Sequence, residues 1–448
     1  MRRHKTPAKA GFLPKKTRIF LVLLLYCLPF SVVLATESGM LMGGLFSIGD
    51  DGAAEAGENP AYLASAGRAQ GKSAHIRATA FNAGNIVLST LPLTNSTQIM
   101  GAADMAIAWH RIAGSRWSGG VALADVRAPL YQRLALEGSQ FNPATGFDAS
   151  IKTMNIDQSH GMAAALAWQL SAKESLGARV RYSHRYLREK ENLTAPQNAT
   201  VTFSSELGSE QHTHQLHAAL SYLYHSAAGD FTLMAGNLGL QQGKGSFAYS
   251  TVVSTSAVPV VAATYETSAF ASSATVDPFF LIGGRKRVLG ILQIFFEAGA
   301  QPALTQKTSD NFYRKDGSNK ATVRRDITRE GDISTALGAG IAINLTENVA
   351  WHSGIRYQTS KTRLSIFAED NLSRYLETTS VRFAQASTGI SWRRLTYTWQ
   401  LGVSYQYQYV DLDKRSSYTD LGADKTSQSA IAVGVNTYGV FFAVAADF

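Results

Sequence analysis

Between residues 395 and 410 the chain alternates with a period of two. The odd positions read Leu395, Tyr397, Trp399, Leu401, Val403, Tyr405, Tyr407 and Tyr409. The even ones read Thr396, Thr398, Gln400, Gly402, Ser404, Gln406 and Gln408. A helix repeats every 3.6 residues and cannot gather one of these sets on a single face, whereas a strand does so by construction. The segment therefore predicts a strand with one apolar face and one wet face. The same pattern recurs at Leu292, Ile294, Phe296 and Ala298, at Val349, Trp351, Ile355 and Tyr357, and at Leu216, Ala218, Leu220, Tyr222 and Tyr224.

Extended over the chain, this periodicity predicts fourteen strands near 74–83, 104–112, 117–126, 161–170, 176–188, 212–225, 230–239, 276–285, 290–299, 333–343, 348–360, 378–392, 395–410 and 428–448. Their connections alternate strictly. The stretches 113–116, 171–175, 226–229, 286–289, 344–347 and 393–394 are short, while 84–103, 127–160, 189–211, 240–275, 300–332, 361–377 and 411–427 are long. A secreted sandwich or solenoid has no reason to put every long loop at one end. An outer-membrane barrel does, and hydrocarbon forces its sheet to close, because no backbone amide can be left unpaired there. The expected fold is all-β: a 14-stranded antiparallel transmembrane β-barrel whose polar face is the lumen.

Charge and cysteine usage agree with export. The net charge of +9 suggests nucleic acid until it is located. Residues 1–35 carry seven Lys/Arg and no acid; without them 35 basic face 33 acidic residues. The basicity belongs to a leader whose apolar run, 19–35, ends in Val33-Leu34-Ala35 before an expected cleavage site. The single cysteine, Cys27, lies in that leader, so the expected mature chain has no disulfide, thiolate metal site or cysteine nucleophile. Outer-membrane localisation follows as the expectation, with membrane lipid as the surroundings and no nucleic-acid partner.

Residues 36–73 do not alternate. Asn59 before Pro60 is a good helix start, with Asn as N-cap and Pro at the first position. Asp50 or Asp51 can likewise cap a turn through 53–56. Two short capped helices of small residues before a barrel predict a plug inside the lumen, giving a leader at 1–35, a hatch at 36–73 and a barrel at 74–448. Gly49, Asp50, Asp51, Gly52 and Ala53, followed by Asn59, Pro60, Ala61, Tyr62, Leu63 and Ala64, resemble the A-D-D-A…N-P-A-x-L hatch of the FadL family, although Gly49 stands where the family often has Ala. The resemblance implies a fourteen-stranded, monomeric outer-membrane transporter of long-chain fatty acids or other hydrophobic compounds. It also implies capture by external loops, binding beside the hatch and lateral release into the bilayer. PorV-like barrels share the hatch signature and bind secreted proteins, which makes a scaffold the alternative. The last strand, with Val440, Phe442, Val444, Ala446 and Phe448 on one face, resembles the signal read by the barrel assembly machinery.

Two groups of residues are candidates for substrate contact. The stretch 240–275 holds only Lys244 and Glu266 as charges but carries Phe247, Tyr249, Val258, Val260, Val261 and Phe270. Such an apolar load on an exposed loop predicts a capture surface. Arg179, Arg181 and Arg185 share the lumenal phase of one strand and Arg356 that of another. Guanidinium groups there can hold a carboxylate, or pair with Glu297, Asp50 and Asp51 and fasten the hatch. No catalytic residue, cofactor or metal is expected. His225-Ser226 and His352-Ser353 are adjacent in strands and so point to opposite faces, and neither an HExxH nor a GxSxG motif occurs.

Overall fold

The computed structural model describes residues 52–65, 70–88, 95–123, 131–142, 147–196, 201–255, 262–275, 278–288, 290–316, 319–368, 373–420 and 423–448. Strand stretches β1 (Gly71–Leu88), β2 (Asn95–His110), β3 (Trp117–Leu123), β4 (Tyr131–Asn142), β5 (Phe147–Gln169), β6 (Glu174–Pro196), β7 (Val201–Ser226), β8 (Gly229–Thr255) and β9 (Ala262–Thr275) form the first half. The second half holds β10 (Phe279–Val288), β11 (Leu292–Gln301), β12 (Leu304–Asp316), β13 (Asn319–Gly331), β14 (Ser334–Thr346), β15 (Val349–Ala368), β16 (Ser373–Arg394), β17 (Tyr397–Asp420) and β18 (Ala423–Asp447). All join one antiparallel sheet of eighteen stretches, closed where β1 pairs with β18. The chain terminus finishes that seam: Phe448 and Lys72 exchange backbone hydrogen bonds of 2.7 and 3.0 Å.

The eighteen stretches make fourteen long strands. At the end with the short turns the ring runs β1-β2-β3-β5-β6-β7-β8-β10-β11-β14-β15-β16-β17-β18. Toward the other end β4 replaces β3, and β9, β12 and β13 replace β10, β11 and β14. Both rings are closed, with the same number of strands. The fourteen expected strands are therefore present, but most of the expected loops are the same strands continued. The stretch 240–275 is the largest departure: its described residues are the top of β8 and the whole of β9. β8 alone has 27 residues, where a spanning strand needs roughly 10. The wall stands far beyond the membrane on the side of the long connections. Leu395, expected to open a strand, is instead in the turn before β17 with φ 57°.

Side chains sort by face as a bilayer demands. Val180, Leu216, Leu220, Phe280, Leu337, Ile355, Val403 and Val440 point outward and are exposed. Stacked Trp117–Trp168 and Trp392–Trp399 pairs sit near the short turns, with Tyr405–Tyr438 higher up. Apolar bands between aromatic girdles are the signature of an outer-membrane-type barrel. The inward face is small and polar, with Ala163, Ala165, Ala167, Ser175, Ser183, Ser221, Ser387 and Ser404 buried in it.

Candidate functional site

The segment ahead of β1 lies inside this wall. It forms two 3-10 turns, Gly52–Ala56 and Pro60–Ala64, whose residues are all buried. They pack on β18, β1, β2, β3, β5, β6 and β7. Ala53, Ala56, Leu63 and Ala64 form one apolar cluster with Ala106, Ala108, Ala122, Ala163, Ala165 and Ala167 of the wall. Inward alanines let two backbones approach closely enough to leave no void. Gly177 carries this furthest. A Cβ there would stand 2.2 Å from the nitrogen of Ala61 and 2.4 Å from the carbonyl carbon of Pro60, so only glycine admits the second turn. Gly120 does the same for Ala56, whose methyl would be 2.8 Å away.

Polar groups then fix the seat. The Ser221 hydroxyl accepts from the Ala61 amide at 3.0 Å, and the Ser175 hydroxyl donates to the Ala61 carbonyl at 2.8 Å. His110 bonds the Leu63 carbonyl at 3.0 Å and is itself held by Ser73 at 2.7 Å. The buried Arg77 guanidinium bridges Glu58 of the hatch at 3.4 Å and Asp104 of β2 at 2.6 Å, and His75 meets the other oxygen of Asp104 at 3.0 Å. Asn59 was expected to cap the second turn. It makes no side-chain cap hydrogen bond; its amide instead donates to Thr232 of β8 at 2.9 Å. A tight 3-10 turn pressed onto a wall leaves that side chain nearer the barrel than the turn's own amides.

The candidate arginines divide. Arg179 donates to the carbonyls of Gly57 and of Glu58, the latter at 2.8 Å, and Arg181 is buried facing the Glu58 carboxylate. Both groups belong to the hatch seat. Arg185, on the same face and higher, is exposed. Arg356 interacts with Glu297 across Gly338, the three lying in one cross-strand row. Gly49, Asp50 and Asp51 lie outside the described residues, while Pro60 and Ala61 are in the second turn. Of the apolar candidates, Phe247 and Tyr249 fall in β8 and Phe270 in β9, whereas Val258, Val260 and Val261 lie outside the described residues.

Reading the sequence alone missed the region directly above the hatch. Two residues up β7 from Ser221, Ala219 packs with Met234, Phe279 and Leu281 in an inward apolar cluster, with Phe295 buried on the next strand. This patch sits at the foot of an interruption in the wall. The ladder between β10 and β11 reaches Phe280↔Ala300 and stops; the ladder between β9 and β12 resumes at Ala269↔Asn311. Among the described residues between those points no backbone pairing joins the two strands. Pro278 and Pro302 stand one on each side, and neither can donate to a ladder. β11 climbs its ten residues from the short turn to this point, roughly 23 Å at ~3.3 Å per residue and a tilt near 40°. The interruption therefore opens at the upper edge of the apolar band.

The fold has counterparts among solved structures. The Pseudomonas putida toluene transporter TodX superposes with a TM-score of 0.57 at 11% identity, over 94% of this chain and 99% of that one. The Ralstonia pickettii toluene transporter TbuX gives 0.55 at 10% identity, over 93% and 99%. The CymD monoaromatic hydrocarbon channel gives 0.50 at 13%, over 94% and 99%. The chain has the FadL-type fold. No family model matches the sequence, and no curated protein does. The FadL-type likeness covers the barrel from seam to seam at an identity so low that it speaks for the architecture alone. The hatch seat and the interrupted wall described above are features of this chain's own residues.

Proposed function

We propose that the protein carries uncharged hydrophobic small molecules across the outer membrane. They enter from the tall external wall, rest on the apolar patch above the hatch and leave sideways through the interruption between β9–β10 and β11–β12. The observation that carries this reading is the coincidence of the buried cluster Ala219, Met234, Phe279 and Leu281 with the foot of that interruption. The facing wall, β14–β17, is lined mostly by small and polar residues, and an apolar patch among convergent polar groups is where an apolar ligand rests. The hatch below supports a lateral rather than an axial route, because an apolar molecule gains nothing from an aqueous exit. The fold neighbours, two toluene transporters and a monoaromatic hydrocarbon channel, support the substrate class.

Neutral cargo fits better than a fatty-acid carboxylate. Arg179 and Arg181 are engaged with the hatch and Arg356 with Glu297, so three of the four arginines expected to hold a carboxylate already serve the structure, and the fourth, Arg185, is exposed higher on β6. The wall's height above the membrane is the observation that favours the alternative, a scaffold binding secreted protein through its outer surface.

One experiment addresses both. Thr275 and Thr305 lie on the two edges of the interruption, and the only native cysteine is Cys27. A Thr275→Cys/Thr305→Cys barrel is assayed for uptake of labelled toluene and labelled oleate, oxidised and then reduced. Toluene uptake lost on oxidation and regained on reduction supports the lateral route. Uptake indifferent to the crosslink removes the route, and a barrel that admits neither probe in any state leaves the scaffold.

A further inference from the structure

The lipid-facing side of the barrel opposite the hatch is not smooth. On β16 the outward residues Ala384, Ala386 and Thr388 are small. Their neighbours on β15 and β17 are Ile355, Tyr357, Val403 and Tyr405, all of them exposed. Small residues between two bulky rows leave a furrow along β16. It is occupied by two contiguous cavities of about 700 and 470 Å³ that share Ala386 and Tyr405, and a third of about 280 Å³ continues it upward past Ala384 to Arg382. From residue 382 to 388 the furrow runs roughly 20 Å along the strand, which at a tilt near 40° is a depth of about 15 Å, one leaflet of hydrocarbon.

Its upper end is cationic. The Arg382 guanidinium lies 5.9 Å from the centre of the Tyr409 ring. Among the described residues no carboxylate forms an ion pair with it. Lys361 points outward on the next row up, in register with Ser380, and Asp411 ends that row two strands from Lys361. An arginine beside a tyrosine ring at the membrane surface can still offer N–H groups to a bidentate anion.

We propose that this furrow binds a phosphate-bearing lipid of the outer leaflet, a phosphorylated glycolipid, with one acyl chain over residues 384–388 and its phosphate at Arg382 and Lys361. The occupant follows from charge and position. The furrow is as long as one leaflet is deep, it faces bilayer, and a cation stands where the headgroup begins. Neutral cargo uses none of that charge, and a zwitterionic lipid uses it weakly. The site lies outside the lumen and does not depend on the transport reading.

The test is native mass spectrometry of the intact barrel in mild detergent, titrated with diphosphoryl lipid A, its dephosphorylated form, phosphatidylcholine and dodecane. Arg382→Gln should lower retention of diphosphoryl lipid A about tenfold and leave phosphatidylcholine unchanged. Ala386→Trp, which fills the furrow, should abolish the bound lipid, while Ala164→Trp on the far outer face should not. Equal retention in wild type, Arg382→Gln and Ala386→Trp overturns the site. So does preferred retention of dodecane, or of dephosphorylated lipid, in a manner blind to Arg382. Heat-modified mobility on gels confirms that each variant is a folded barrel before it is scored.

Discussion

The two halves of the lumen are built from the same strands and do opposite things. Under β1–β8 the inward face is crowded. Hatch backbone lies on Gly177 and the Ala56 methyl on Gly120, and Glu58, Arg77, Asp104, Arg179 and Arg181 form a dry charged network. Across β14–β17 the inward positions include Gly338, Gly340, Gly354, Gln385, Ser387, Gly389, Gly402 and Ser404, with Arg356 facing Glu297 of β11. One half holds a plug; the other carries small and polar side chains, and the interrupted wall and the apolar patch lie where the two halves meet. Under the proposed function, such a barrel conducts without moving its plug, provided the plug stays on its own side.

That contrast is breakable. The largest effect is expected from Arg77→Leu, which leaves Glu58 and Asp104 buried without their shared cation. Losing one partner of a buried network costs about 3–5 kcal/mol, and the urea midpoint of the purified barrel should fall accordingly while channel conductance rises as the hatch loosens. Gly177→Val comes next. Its side chain cannot coexist with Ala61, and overpacking of this kind costs about 1–3 kcal/mol. Hydrogen exchange of the second hatch turn should accelerate while the barrel strands stay protected; unchanged exchange would mean that the wall, not the hatch, gives way. Asn59→Ala removes the bond to Thr232, and about 1 kcal/mol of thermal stability is expected to go with it. On the other half, Gln385→Ala lies away from the hatch turns and should change the unfolding free energy from the same urea titration by less than about 0.5 kcal/mol. A large loss there would erase the distinction between the halves.

How far the sequence foretells this structure depends on what enforces the pattern. Within the bilayer, hydrocarbon penalises every misplaced polar side chain, so Trp399, Leu401 and Val403 alternate cleanly with Gln400, Gly402 and Ser404 and the strand is plain to read. Above it the same strand β17 continues to Asp420, beyond the hydrocarbon. No periodicity is demanded there, and the long strands look like loops. The hatch turns were legible from Asn59 and Pro60, but their seat was not. A glycine inside a strand, such as Gly177, reads only as a weak strand former until the partner backbone is known. Asp104 and Arg77 are 27 residues apart and Glu58 a further 19 before Arg77, with no local spacing to connect them. The periodic arginines were visible as lumenal, yet which carbonyls they meet is a property of the folded pair.

The seam gives the hatch a role in time. The plug precedes β1 in the chain, packs on both β1 and β18, and sits against residues that meet only when Phe448 closes on Lys72. Its backbone fits Gly177 with no clearance for later insertion of a side chain. A barrel zipped shut around an empty lumen would have to admit fourteen tightly apposed residues, 52–65, through its own mouth. Seating the plug while the first and last strands are still apart avoids that, so closure of the wall and docking of its contents belong to a single event.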